Sequence, residues 1–197
     1  MNNHSLFKMR TRDQAKYDAI VDASIRLVNE LGFDGISISK IAKQAKVSPA
    51  TIYIYFKNKE DLFTKLYIDI RNQMSQGALV NLQEDMSVED AFKSSWHDMF
   101  LFNLRHPDII QYRERFEQTA MMNNIKAQDF EHYRFTLELL QRGIKEKVIK
   151  DLPLPLLTSF AFVPAITLLR FHFDGVLNMD EGTINQACEI AWESIRR

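Results

Sequence analysis

Cysteine is nearly missing from this 197-residue chain. Cys188 stands alone, so no intrachain disulfide can form and a stapled secreted fold is excluded. Six glycines and five prolines leave little punctuation for a loop-rich or many-stranded fold. No long apolar run goes uninterrupted: the most membrane-like stretch, Leu152 to Leu169, carries Pro153, Pro155 and Pro164 and reads as a buried helix of a soluble protein. The N-terminal MNNHSLFKMRTRDQ lacks the apolar segment of a secretory signal, which makes the cytoplasm the expected location. Glycine-rich phosphate loops, a Gly-x-Ser-x-Gly elbow and a His-Glu-x-x-His arrangement are all missing, and the five histidines are scattered. No catalytic residue, metal site or cofactor is therefore expected, and the chain is read as not an enzyme.

What remains is a balanced, apolar-rich composition, 46% hydrophobic with a net charge of −1. The balance hides an asymmetry. Residues 1 to 70 carry 11 Lys/Arg against 8 Asp/Glu, whereas 71 to 197 carry 14 against 18. A basic front end permits anion binding.

Apolar residues recur at intervals of three and four, which predicts an all-α fold of about nine helices. Tyr17, Ile20, Ser24, Leu27 and Leu31 line a first helix that ends at Gly32. Ser37 caps a short second helix burying Ile38, Ile41 and Ala42. Asn58 opens a longer one with a stripe of Leu62, Leu66, Ile70 and Met74. Ser87 with Asp90 opens the next, His106-Pro107 breaks it, and another helix runs from Pro107 to about Thr119. Phe130, Tyr133, Leu137, Leu140, Ile144 and Val148 form the longest stripe. Leu156 to Phe173 is apolar nearly all round, and Ile184, Ala187, Ala191 and Ile195 mark a last helix. A helix apolar on every side needs cover on every side, from its own bundle or from a second copy of the chain.

One segment is ambiguous. TIYIYF, Thr51 to Phe56, alternates like a strand, yet Ser48 and Pro49 just ahead of it are an N-cap and a first-turn proline. Read as a helix, it follows Ile38 to Ala45 after only Lys46, Val47 and Ser48, the spacing of a helix-turn-helix. The second helix of such a pair lies in the major groove of DNA. Thr51 can hydrogen-bond a base edge or set its methyl against thymine, Ala50 permits close approach, and Ile54 offers an apolar contact. Tyr53, Tyr55 and Lys59 carry groups that reach phosphates.

These residues carry a family resemblance. GFDGISISKIAKQAKVSPATIYIYFKNKEDLF, Gly32 to Phe63, resembles the DNA-binding segment of TetR-type transcriptional repressors: Gly32 and Phe33 closing a helix, the Ser37 cap, the Ile41-Ala42 pair, Thr51 to Phe56, and the Lys57 to Leu62 start of a fourth helix. Two positions depart from the family pattern. Lys46 stands where glycine is common, and Ser39 where many members carry arginine or another long polar side chain. The resemblance implies a helix-turn-helix DNA-binding domain over 1–57 and a helical regulatory domain for ligand binding and dimerisation over 58–197.

The candidate DNA-binding set is Ser37, Lys46, Ser48, Pro49, Ala50, Thr51, Tyr53, Ile54, Tyr55 and Lys59. The candidate effector-binding set is Trp96, Phe100, Tyr112, Phe116, Tyr133, Phe162 and Phe171, for which plain core packing is the competing reading. The implied partners are a double-stranded palindromic operator, a second copy of the chain, and a small apolar or aromatic effector that releases the DNA; no membrane partner is expected. The other classes weighed, an enzyme and a helical protein-interaction or membrane-surface module, leave the Ser48 to Lys59 arrangement unexplained.

Overall fold

The computed structural model describes residues 12–83, 85–125 and 134–197. Among these it contains nine α-helices and no strand: α1 Arg12–Leu31, α2 Ile38–Gln44, α3 Pro49–Tyr55, α4 Lys59–Gly77, α5 Val88–Arg105, α6 Pro107–Glu117, α7 Arg134–Lys145, α8 Leu154–Phe173 and α9 Glu181–Ile195, with a 3-10 turn at Ala120–Asn124. The all-α expectation holds. Phe130 and Tyr133, which head the predicted seventh stripe, lie outside the described residues.

The chain forms two compact units, and it passes between them inside helices. One unit takes in the chain up to Tyr67 together with Gln111–Asn124; the other comprises Ile68–Ile110 and Ile125–Arg197. Both α4 and α6 are therefore shared between the units.

In the first unit, α1 buries Ile20, Ala23, Ser24 and Val28. Ser24, a polar member of the predicted stripe, is tolerated there because its hydroxyl donates to the Ile20 carbonyl at 2.7 Å. Leu31 belongs to the same predicted stripe but is exposed in the last turn. The core is closed by Ile41, Ile52, Phe56, Phe63 and Tyr67. Phe33 meets the rings of Phe63, Tyr112 and Phe116 edge-on at 5.0 to 5.9 Å, a favoured aromatic geometry.

In the second unit, α5 is the axis. Phe92, Trp96 and Phe100 share its buried face and pack with Leu140, Leu157, Ala161, Leu169, Cys188 and Trp192 from α7, α8 and α9. Trp96 can be wholly buried because its indole N–H donates to the Ala161 carbonyl at 3.0 Å. Cys188 is reduced and buried, and burial pushes its thiol up to about 12, leaving it unreactive.

Helix α8 departs from the expectation of all-round burial. Leu157, Ala161, Ala165 and Leu169 face the core. Leu156, Phe160, Val163, Phe171 and Phe173 are exposed, as is Ile190 on α9. By length and composition alone α8 could also cross a membrane.

Candidate nucleic-acid interface

The interface is built by the caps of two seven-residue helices. Ser37, extended at φ −121° and ψ 157°, accepts from the Lys40 N–H at 3.3 Å and starts α2. At the other end of α2, the Lys46 N–H bonds the Lys43 carbonyl at 3.3 Å and the Val47 N–H bonds the Ala42 carbonyl at 3.0 Å. This pair of bonds is a Schellman cap, which requires a left-handed residue at its centre. Here that residue is Lys46, at φ 55°. The departure from glycine noted in the sequence therefore falls on a backbone conformation that glycine adopts most cheaply.

Two residues later α3 begins. Ser48 accepts from the Thr51 N–H at 3.2 Å, and its hydroxyl lies 2.9 Å from that of Thr51. Pro49 occupies the first turn. The strand-like TIYIYF is thus helical through Tyr55, and it turns extended only at Phe56. Its two faces are chemically different. Ile52 and Phe56 are buried, whereas Ala50, Tyr53 and Ile54 share an exposed face, with Tyr53 56% and Ile54 76% exposed. Burying a side chain like that of Ile52 contributes roughly 1.5–3 kcal/mol. Ile54 forgoes that gain, and so large an exposed apolar group beside a tyrosine marks a surface shaped for contact.

Two of the predicted phosphate-reaching groups are engaged within the protein. Tyr55 turns back toward α1: its hydroxyl donates to the Asp13 carbonyl at 3.1 Å and its ring meets Tyr17 edge-on. A phenol has one proton to donate, so this bond leaves none for a phosphate. Lys59 extends its ammonium to the carbonyls of Phe33 and Ile36, at 3.5 and 3.4 Å. It thereby ties the start of α4 to the loop between α1 and α2. Lys46 is exposed at the turn.

The aromatic effector candidates separate. Trp96 and Phe100 stack at 5.2 Å in the second unit, and Phe162 packs on Phe92 there. Tyr112 and Phe116 lie in the first unit, fully buried. The Tyr112 hydroxyl donates to the Phe63 carbonyl at 2.9 Å, and burial pushes it well above the usual phenol range. Phe171 is at the surface, and Tyr133 lies outside the described residues. Sequence reasoning missed an open groove of about 380 Å³ in the second unit, lined by Asn72, Gln76, Leu79, Arg134 and Phe135 among others. No motif announces it, since its lining is mixed and comes from two distant segments.

Comparison with known proteins places both halves of the chain. Residues 20–66 match the family model of bacterial regulatory proteins of the tetR family. Residues 87–196 match the model of a tetracyclin repressor-like C-terminal domain. The crystal structure of a TetR family transcription regulator from Marinobacter aquaeolei is 31% identical, with a TM-score of 0.88 over 95% of this chain and 99% of that one. The fatty acid metabolism regulator protein of Bacillus subtilis is 37% identical over 75 residues, which cover 38% of this chain and 39% of that protein. The same fold occurs in the crystal structure of the transcriptional regulator FadR from Bacillus subtilis in complex with stearoyl-CoA, 21% identical with a TM-score of 0.73, covering 90% of this chain and 96% of that one. These relatives are regulators, not enzymes.

Proposed function

We propose that this chain, which belongs to the TetR family and so is a DNA-binding transcriptional regulator, acts as a repressor that binds a palindromic operator as a homodimer and is released by a small effector with a substantial apolar part. The observation that carries this reading is the exposed face of α3, where Ala50, Tyr53 and Ile54 stand clear of the core on a helix fixed by Ser48. Thr51, half-buried beside them, is assigned a base contact, and Lys46 is assigned a phosphate. Ser37, Ser48 and Pro49 act by holding the two helices. Tyr55 is assigned the same supporting part because its one phenolic proton is already bonded, and Lys59 because two of its three ammonium protons are held by the Phe33 and Ile36 carbonyls. The DNA-binding domain is assigned to residues 1–57 and the regulatory domain to 58–197.

Support for a dimer comes from α8 and α9. Phe160, Val163 and Ile190 are apolar and exposed, and a second copy would give them the cover that the described residues do not. Two-fold symmetry then sets the two copies of α3 about 34–36 Å apart, in successive major grooves. An effector releases DNA only if it binds the form with mismatched spacing more tightly. Acyl-coenzyme A compounds are the first effectors to try, given the ligand of the Bacillus subtilis FadR structure.

The test is titration of a palindromic fragment from beside the protein's own gene, followed by addition of stearoyl-CoA. The reading expects two chains per fragment, affinity falling steeply with salt, and release by the acyl compound. Phe160→Glu should give a monomer with weakened operator binding. One chain per fragment, or a wild-type protein of monomer mass in solution, would remove the dimer from the account, and a Phe160→Glu protein that stays dimeric would take the dimer away from α8.

A further inference from the structure

We propose that Arg113 is an anion-binding group for the effector, and hence that the effector carries a carboxylate or a phosphate; this rests on the reading above, that a small effector releases the DNA. Arg113 lies on the part of α6 that belongs to the first unit and is only 6% exposed. Its Nε is sealed from solvent and has no hydrogen-bond partner. The carboxylate nearest to it, Glu117 Oε1, is 3.7 Å away, too far for a hydrogen bond. That same oxygen already takes the Tyr67 hydroxyl at 3.1 Å. The phenol on this part of α6, Tyr112, is committed to the Phe63 carbonyl.

A guanidinium has five N–H donors and no acceptor, and it cannot shed its charge. Burying one beside a single loose ion pair is unfavourable, because a removed hydration shell must be replaced by close oxygens. Packing gives no reason for it, since the neighbouring buried positions on this turn are Tyr112 and Phe116 and a methionine would fill such a place without penalty. An oxyanion supplies what is lacking: two adjacent acceptors matching the planar fork. A neutral ligand offers a weaker match, and a cation is repelled.

The cluster also gives the anion a route to the DNA-binding helices. Glu117 is partly exposed and can turn to water; Arg113 is buried and cannot. An anion arriving at Arg113 places a second negative charge beside Glu117 and drives it outward. Glu117 then leaves Tyr67, which sits on α4, the helix that begins at Lys59 immediately after α3. The charge of the ligand is thereby converted into a changed tie between α6 and α4.

The experiment follows release of the full-length protein from its operator by three probes with the same tail: decanoate, decyl phosphate and 1-decanol. The two anions should release DNA at concentrations at least about tenfold below the alcohol, the scale of a charge-assisted pair. The better of the two anions identifies carboxylate or phosphate as the natural group. Arg113→Met should still bind the operator but respond to all three probes alike, and Arg113→Lys, which keeps the charge without the fork, should show an intermediate preference. If Arg113→Met does not fold, the lysine variant carries the test. Equal potency of decanol and the anions on the wild type, an unreduced preference in the variants, or release by none of the probes would overturn the proposal while leaving DNA binding intact. Failure of the wild type to bind any operator would instead remove the reading on which it rests.

Discussion

Replacing Lys46 by glycine pulls apart two properties that the natural residue combines. At φ 55° its side chain crowds the backbone in a conformation that costs an L-residue about 1–2 kcal/mol relative to the right-handed region. Glycine removes that cost but loses roughly 0.5–1 kcal/mol more in unfolded-chain entropy. The net expectation for Lys46→Gly is a gain of up to about 1.5 kcal/mol, seen as a melting temperature higher by up to about 6 °C for a chain of this size. The same change removes a cation from the turn ahead of α3. If Lys46 meets a phosphate in each of the two chains on an operator, the slope of log affinity against log salt should become shallower by about 1.8. Thermal denaturation and fluorescence anisotropy over a salt series read the two effects separately. Lys46→Ala is the control: it should lose the slope without gaining stability, because alanine keeps the backbone penalty. If alanine stabilises as much as glycine, or glycine lowers the melting temperature, the argument from backbone conformation is wrong.

Three further outcomes follow from packing and charge. Lys59→Met should lower stability by about 1 kcal/mol through the lost bonds to Phe33 and Ile36 and leave the salt slope unchanged; a slope shallower by about 1.8, for one phosphate on each of two chains, at unaltered stability would return Lys59 to the phosphates. In Gly143→Ala the added Cβ would meet Ile149 Cδ1 at 2.5 Å and Val88 Cγ1 at 2.9 Å. Overpacking of about 1–3 kcal/mol should outweigh the better helix propensity, and the added substitution Ile149→Val should restore part of the loss in a denaturant titration. For Asp61, burial pushes the carboxyl up, but the Lys57 N–H at 2.8 Å, the Lys65 ammonium at 3.0 Å and the two lysine charges outweigh it and hold the carboxyl below its ordinary range. A depressed folded value stabilises above the unfolded pKa, near pH 4, and that contribution is lost as pH falls through the lowered value. Melting measured from pH 6 down to pH 3 should therefore decline less steeply in Asp61→Asn than in the wild type.

The helices were legible because their ends are chemically marked. Ser37, Ser48, Asn58 and Ser87 each accept a bond from a backbone N–H three residues on, and these caps outvoted the strand-like alternation of TIYIYF. The special turn at Lys46 showed only against the family pattern, in which glycine is common at that position. Long-range commitments were not legible. Tyr55 and Lys59 carry groups that suit phosphates, but their partners, Asp13, Phe33 and Ile36, lie 23 to 42 residues away in the chain. Periodicity assigns a residue to a face without naming what the face meets. Hence Tyr112 and Phe116 read like Trp96 and Phe100, although they close the core of a different unit. Nothing in the spacing of α8 separated its buried stripe from its exposed one, because both are apolar. Arg113 gave no signal either, since an arginine on a helix is ordinarily solvated.

The central claim, that the exposed face of α3 reads DNA sequence, is tested most directly by one ratio: affinity for the palindromic fragment beside the protein's own gene over affinity for a scrambled fragment of equal length and composition, at physiological salt. The wild type should favour the palindrome by about 10³-fold or more, and Ile54→Ala should reduce that ratio about tenfold or more while melting at an unchanged temperature, because Ile54 contributes nothing to the core. A ratio near one for the wild type, or an Ile54→Ala protein that discriminates as well as the wild type, would contradict it.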